Sequence, residues 1–240
     1  MPWRLPRPAT DLTSCHVGIS FYESLDRTRL LTSVAQVFNE RGEGTIVRGG
    51  PAKIGKDDRQ PHLDAADAQS ILINALNAYR SEHHNFPARI VIHKSSRYSP
   101  EEVAGFQAAT DELHVELLEL LTLGDSSTHL FRYGAYPPLR GTLLTITDNE
   151  YVLYTRGSVD FFQTYPGMYA PQTLAIRIQR AEHAGRFLAE EILGLTKMNW
   201  NKTQFDGFEP ITLHAARQVG KILKYVPEGE RIQPAYAYYM

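Results

Sequence analysis

The sequence contains a single cysteine, Cys15, among its 240 residues. One thiol excludes an internal disulfide bond, and it leaves no thiolate cluster for structural zinc. Chains without disulfides are typical of reducing, intracellular compartments. We therefore expect a cytoplasmic protein whose fold forms without covalent cross-links.

Long apolar runs and a strong excess of either charge are also lacking. No segment approaches the roughly 20 apolar residues of a membrane-spanning helix, and the N-terminal segment has no apolar core like that of a signal peptide. The net charge is −2, with 42% hydrophobic and 22% charged residues, as in ordinary globular domains. We expect no membrane association, whereas nucleic-acid binding stays open because it requires only a local basic patch.

The ends of the chain differ in composition from its centre. Residues 1–14 include Pro2, Pro6 and Pro8 and predict an extended connector. Residues 15–240 predict a single domain. That domain ends in an aromatic tail at residues 234–240.

The first predicted strand, residues 17–22, organises the rest of the chain. Its alternation places Val17, Ile19 and Phe21 on one face and a more polar set on the other. Two more strands, Leu30–Phe38 and residues 45–48, follow after short turns and should pair antiparallel. These three strands predict a mixed sheet with the first strand near its middle.

A helix and a β-α-β unit come next. Asp64 is a predicted N-cap. Residues 89–93 are typical of a strand buried on both faces. Ser99, Pro100 and Glu102 then supply an N-cap, a first-turn proline and a capping-box glutamate. Residues 115–121 return as a strand parallel to the first, and ligands of open sheets usually bind at the carboxyl ends of such strands, here at residues 94–98.

The second half of the sequence predicts further strands and two helices. A hairpin is expected from residues 142–147 and 151–155, and a strand at residues 174–178. The helices are predicted at residues 181–198 and 211–225. Three antiparallel strands, alternating helices and strands, and C-terminal helices together predict an α/β protein with an RNase H-like fold.

Short motifs within this order resemble the PIWI domain of prokaryotic Argonaute proteins, most closely the catalytically inactive kind. The resemblance covers nearly the whole chain and rests on five stretches, namely residues 18–20, 92–96, 195–201, 210–215 and 238–240. Active relatives carry acidic or histidine metal ligands at positions that here are Ser20, Ser95 and Ala215. Hydroxyl and methyl groups cannot supply the anionic oxygens that a pair of magnesium ions needs. The resemblance therefore implies an inactive protein rather than an enzyme.

The resemblance also implies contacts to a guide strand and its complementary target. Base pairing between the two strands reads the sequence, and the protein holds the strands through their backbones. Candidate phosphate contacts are basic and polar residues in the matching motifs: Lys94, Arg97, Arg156, Lys197, Asn199, Asn201, Lys202 and Thr203. Arg217 and Lys221 lie four residues apart on one helix face and are expected near the guide 5′ phosphate. The terminal carboxylate of Met240 is expected near a divalent cation, such as Mg²⁺, bound at that phosphate.

Partners and alternatives stay open at this point. The resemblance implies a second polypeptide that supplies a MID domain and other Argonaute regions, with an effector, or else a chain that is a fragment. RNA and DNA are equally compatible with the guide and the target. One alternative is an RNase H-like nuclease with relocated carboxylates, for which Asp148, Asp160 and Asp206 are candidates, with Glu43, Asp57 or Asp58 as a loop acid. Another is an interaction scaffold without nucleic acid.

Overall fold

The structure is a computed structural model that describes residues 13–38, 44–131, 133–134, 137–158, 165, 170–198, 207–227 and 230. The strands in this part of the chain are β1 (Ser14–Glu23), β2 (Leu30–Phe38), β3 (Gly44–Pro51), β4 (Lys53–Ile54), β5 (Pro61–His62), β6 (Arg89–Lys94), β7 (Leu117–Ser126), β8 (Leu143–Thr147), β9 (Glu150–Leu153) and β10 (Thr173–Arg180). The helices there are α1 (Ala65–His83), α2 (Pro100–Glu112), α3 (Gly185–Leu195) and α4 (Ile211–Leu223). Nearly all of the predicted connector and the whole aromatic tail lie outside the described residues.

Eight strands form one mixed sheet in the order β3-β2-β1-β6-β7-β10-β9-β8. β1, β2 and β3 are antiparallel, β1, β6 and β7 are parallel, and β10, β9 and β8 complete the sheet as antiparallel strands. The predicted α/β class, the antiparallel start and the parallel β-α-β unit are confirmed. β3 runs three residues beyond its predicted end, and the small β4–β5 hairpin was not predicted.

Both faces of β1 are buried, because helices cover the sheet on each side. Cys15, Val17 and Ile19 pack with α1 and α2 in the largest apolar cluster. Strand alternation turns His16 and Ser20 to the opposite face, where α4 packs across β1 and β2. The polar face of β1 is therefore enclosed between the sheet and the last described helix.

The caps of α1 and α2 form as predicted. The Asp64 carboxylate accepts a hydrogen bond from the backbone N–H of Asp67 at 2.9 Å. At α2, Ser99 and Glu102 form a complete capping box, with Pro100 in the first turn. The two helices pack closely at Gly105, where an added Cβ would lie 2.3 Å from the Ala65 carbonyl oxygen.

α3 begins at Gly185, four residues later than the sequence predicts. The buried Glu119 carboxylate accepts hydrogen bonds from the backbone N–H groups of Glu182 and His183 and binds the His183 ring at 2.8 Å. These contacts hold the connection from β10 in a non-helical conformation. The apolar faces of α3 and α4 then pack on β6, β7 and β10, with Leu188, Ile192 and Leu213 in one cluster. None of the described helices combines the length and the apolar composition needed to cross a membrane.

Candidate nucleic-acid interface

The three positions that the sequence resemblance matches to metal ligands of active relatives come to one region of the fold. Ser20 is 3% exposed on β1, and Ser95 follows β6, where its backbone N–H donates to the Ile19 carbonyl oxygen at 3.3 Å. Ala215 is buried on α4, one turn after Thr212, whose hydroxyl lies 2.9 Å from Nδ1 of His93 on β6. The ends of β1 and β6 and the first half of α4 therefore surround the position at which the resemblance implies a metal site in active relatives, and at which the sequence predicts none here.

The side chains at these positions do not fit a pair of divalent cations. Two hydroxyls and a methyl group provide no anionic oxygen. In the part of the chain that the structure describes, no group of three or more His, Cys, Asp or Glu side chains is arranged to hold a metal ion.

The alternative carboxylates do not reach the site where they can be placed. Asp148 lies in the turn between β8 and β9, and β8 is five strands from β1 in the sheet order. At about 4.8 Å between neighbouring strands, that separation is about 24 Å. Asp58 instead binds Nε2 of His62 at 2.8 Å, and Asp57 is exposed in the same turn. Asp160, Asp206 and Glu43 lie outside the described residues.

Lys94 is buried beside this region rather than displayed on its surface. The side chain is 0% exposed, and its ammonium lies 2.5 Å from Oε1 of Glu102 and donates to the Arg97 carbonyl oxygen at 2.8 Å. The aromatic rings of Phe21 and Tyr98 pack near the same ammonium. Burial lowers the pKa of Lys94, although the Glu102 charge opposes that shift. The predicted phosphate contact is not available to Lys94 in this arrangement, because the ammonium is directed into the protein.

Glu102 joins three segments around the same lysine. Its Oε1 accepts the backbone N–H of Leu63 at 2.8 Å, and its Oε2 accepts that of Ser99 at 2.8 Å. Nδ1 of His62 lies 3.2 Å from the same carboxylate. One side chain thus caps α2, neutralises Lys94 and holds the β4–β5 hairpin.

A second polar network lies on the opposite face of the sheet. Arg89, 1% exposed, binds the Glu191 carboxylate through two hydrogen bonds of 2.6 and 2.7 Å and also binds buried Glu119. His16 Nε2 lies 3.7 Å from Glu191, too far for a hydrogen bond. Burial and then the neighbouring His16 lower the pKa of His93 to about 3. On this polar face of β1 and β6, Arg89 and His93 are paired internally, whereas Nε2 of buried His16 has no hydrogen-bond partner among the described residues. His93 is neutral near pH 7.

Three predicted phosphate contacts line one cavity. Arg156, Arg217 and Lys221 surround a space of about 420 Å³ at the exposed side of α4. Arg217 and Lys221 are both exposed on one face of the helix, as their spacing predicts. Arg217 also forms a 3.0 Å ion pair with Glu209 on the cavity wall. His214, one residue before Ala215, faces this cavity as well.

The remaining predicted contacts are spread more widely. Arg97 is exposed in the loop after β6, and Lys197 is exposed just after α3. Burial of part of the side chain and then the charge of Arg140 lower the pKa of Lys197. Asn199, Asn201, Lys202, Thr203 and Met240 lie outside the described residues.

Arg140 is a structural residue near this surface that the sequence did not reveal. Its guanidinium donates to the Thr155 carbonyl oxygen at 2.8 Å, to the Thr196 hydroxyl at 2.7 Å and to the Leu193 carbonyl oxygen at 3.3 Å. It therefore ties the segment that carries Arg156 to the end of α3. No local pattern could have found it, because its partners lie 15 to 56 residues away.

The chain matches no protein-family model and no curated protein. Solved structures, in contrast, match it over most of its length. Aquifex aeolicus Argonaute matches with a TM-score of 0.68 and 17% identity, over 99% of this chain and 32% of that protein. Clostridium butyricum Argonaute bound to a guide DNA and a 19-mer target DNA matches with a TM-score of 0.67 and 17% identity, over 90% of this chain and 28% of that protein.

A third match is Marinitoga piezophila Argonaute in complex with a 5′ OH guide RNA. Its TM-score is 0.64 and its identity 13%, over 95% of this chain and 31% of that protein. The chain spans under a third of the length of these proteins. The predicted RNase H-like, PIWI-like fold is confirmed.

Proposed function

We propose that this chain is a nuclease-inactive PIWI-like subunit or fragment, which binds a 5′-phosphorylated guide strand and its complementary target in nucleic-acid-guided host defence. The observation that carries the proposal is the cavity at α4. On a fold shared with Argonaute proteins, Arg156, Arg217 and Lys221 converge on one space that is open to solvent. Cations grouped on a concave surface favour phosphate binding.

The proposed inactivity is supported by the side chains around the ends of β1 and β6. Ser20 and Ala215 are buried neutral groups, and Ser95 is a third neutral group at the end of β6. A two-metal mechanism requires anionic oxygens on both cations. The chain therefore contributes binding, and any response to the bound target comes from an effector.

Further polypeptide is part of the proposal, because the matching segment is a minority of each Argonaute protein. A MID domain and other Argonaute regions would complete the guide 5′-phosphate pocket. We place Arg217 and Lys221 beside that phosphate, and the Met240 carboxylate beside a divalent cation bound to it. The choice between RNA and DNA is an outcome of the first experiment.

The test is to purify the tagged chain from its native host and to identify the accompanying proteins and nucleic acids. Short 5′-phosphorylated strands together with a second polypeptide are the expected result. Protein partners without nucleic acid would instead support an interaction scaffold. Magnesium-dependent cleavage that is abolished by substitution of Asp148, Asp160 or Asp206 would replace the proposal with a relocated nuclease site.

A variant pair tests the cavity itself. Arg217→Gln with Lys221→Gln should weaken binding of a 5′-phosphorylated strand more than binding of the same strand with a 5′ hydroxyl. The matched control is Arg177→Gln with Arg186→Gln, which removes two exposed cations at β10 and α3. Equal losses for both strands would contradict the placement of the 5′ phosphate at this cavity.

A further inference from the structure

The cavity at α4 contains an acidic side chain among its basic ones. Arg156, Arg217 and Lys221 line this space of about 420 Å³, and Glu209 is the one carboxylate that lines it among the described residues. Oε1 of Glu209 lies 3.0 Å from Nη1 of Arg217. An anion that enters the cavity therefore meets an arginine that already has an anionic partner.

Backbone contacts fix the segment that carries Glu209. The Thr155 hydroxyl donates to the Phe208 carbonyl oxygen at 2.8 Å, and the Gly207 backbone N–H donates to the Thr196 carbonyl oxygen at 3.2 Å. A Cβ added at Gly207 would lie 2.6 Å from that Thr196 oxygen, so the two segments approach closely. These contacts hold Glu209 on the cavity wall, two residues before α4 begins.

The two partners of the ion pair differ in exposure. The Glu209 side chain is 17% exposed, whereas the Arg217 side chain is 41% exposed. The carboxylate is thus largely enclosed, while the guanidinium reaches solvent. A ligand can therefore attract the Arg217 guanidinium more easily than it can displace Glu209. Because the carboxylate stays on the wall, it repels any anion that Arg217 contacts.

We propose that Glu209 competes with the terminal phosphate of the guide strand for Arg217, and so sets how strongly the cavity prefers a 5′ phosphate over a 5′ hydroxyl. This inference rests on the proposed function and adds a specificity-determining residue to that site. A phosphate monoester carries a charge of about −1.5 to −2 at neutral pH, and the Glu209 carboxylate repels it. A 5′ hydroxyl carries no charge, so its binding does not require Arg217 to leave Glu209.

The test compares strands of one sequence that end in a 5′ phosphate or a 5′ hydroxyl. Each strand, labelled at its 3′ end, is bound to the full chain with its copurifying polypeptides, and fluorescence anisotropy measures the affinity. Glu209→Gln should raise the affinity for the phosphorylated strand roughly 3- to 10-fold, as expected when a partly exposed ion pair is released. The affinity for the hydroxyl-ended strand should change by less than about twofold. An unchanged ratio of the two affinities overturns the inference.

A matched ion pair on α3 controls for the general effect of removing a negative charge. Glu190 lies 3.1 Å from Arg186, four residues earlier, and neither residue lines the α4 cavity. Glu190→Gln should change both affinities by less than about twofold, because solvent and salt screen exposed charges. A gain equal to that of Glu209→Gln would show a general charge effect and overturn the inference.

A double-mutant cycle tests whether Glu209 acts through Arg217. In the Arg217→Gln background, Glu209→Gln should raise the affinity for the phosphorylated strand by less than about twofold, because no arginine is left to release. Equal gains in both backgrounds overturn the competition. Glu209→Asp is the second variant, since it keeps the charge and withdraws the carboxylate from Arg217. It should give a smaller gain of the same sign, and thermal unfolding checks that each variant is folded.

The outcomes distinguish this inference from the proposed function. A wild-type complex that binds neither strand at low salt overturns both. Equal affinities for the two strands in the wild type, in Arg217→Gln and in Glu209→Gln contradict a 5′ phosphate at this cavity and also overturn both. A wild-type complex that prefers the phosphorylated strand, with the same preference in Glu209→Gln, overturns the role of Glu209 alone.

Discussion

Lys94 is the residue at which a structural role and a nucleic-acid-binding role can be separated most clearly. Its sequence context predicts a phosphate contact, whereas its structural environment predicts a structural role. Lys94→Met leaves the Glu102 carboxylate buried without its ion-pair partner. Removing one partner of a buried pair typically costs about 3 to 5 kcal/mol. Glu102 keeps the backbone N–H groups of Leu63 and Ser99 and the His62 ring, so we expect a loss near the lower end of that range.

The partner substitution completes a double-mutant cycle. In Lys94→Met with Glu102→Gln no unpaired charge is left in the core, and the free energy of unfolding should recover to within about 1 to 2 kcal/mol of the wild type. Lys53→Met is the surface control. Its ammonium lies 3.5 Å from Asp64 and its side chain is 78% exposed, so we expect a change of no more than about 1 kcal/mol. Urea unfolding followed by circular dichroism measures Lys94→Met, Glu102→Gln, the double variant and Lys53→Met.

Binding measurements on the folded Lys94→Met variant provide the refutation. The buried arrangement predicts that affinity for a 5′-phosphorylated duplex stays within about tenfold of the wild type, or about 1.4 kcal/mol. A variant with unchanged unfolding but a larger loss of affinity would show that Lys94 contacts phosphate, and that the Glu102 pair is not maintained in the complex.

Three other substitutions or modifications test the packing and the charges. Gly105→Ala should destabilise the protein by about 1 to 3 kcal/mol, because the added Cβ would meet the α1 backbone at 2.3 Å. Gly124→Ala is the control and should not destabilise it, because nothing lies within 4 Å of the added Cβ. Thermal unfolding compares the two variants. Burial alone would raise the pKa of Glu191, but the hydrogen bonds with Arg89 lower that pKa from 4.5 to about 2. The ionised Glu191 therefore stabilises the fold at neutral pH, and this stabilisation is lost as the pH falls from about 5 to about 2. In Glu191→Gln, the change in the free energy of unfolding across that pH window should be smaller than in the wild type by on the order of 3 kcal/mol. Urea titrations at several pH values measure this change. Burial raises the pKa of the Cys15 thiol, so a thiol reagent should react at the rate of unfolding, and fast labelling of the native protein would contradict the buried position.

Local signals in the sequence predicted the elements that depend on neighbours along the chain. The capping box of Ser99 and Glu102 and the proline before Ile211 identify helix starts, because the groups that satisfy a helix end lie within a few residues of it. The alternation in β1 and the apolar run in β6 similarly identify strands. These elements have the order of an RNase H-like fold, and the structure confirms it.

Contacts between segments distant in the chain determine the structural features that the sequence could not predict. α3 begins late because Glu119, over 60 residues earlier, holds the connection before it. Lys94 is a basic residue at the end of a strand, as expected of a ligand contact. Its burial depends on the carboxylate of Glu102, which the sequence identifies only as part of a helix cap. β4 and β5 are two residues each, too short for a periodic signal. At the candidate site, the convergence of Arg156 with Arg217 and Lys221 depends on chain segments about 60 residues apart.

The position of α4 across β1 and β2 has a consequence for biosynthesis. The first strands leave the ribosome long before residue 223, and until then the face of β1 that carries Ser20 lacks the α4 helix that packs across it. β1 must also wait for β6, more than 70 residues later, before its parallel edge is paired. Native pairings between such distant segments slow folding and leave unpaired strand edges exposed during synthesis. We therefore expect the nascent antiparallel strands to depend on chaperones until α4 emerges.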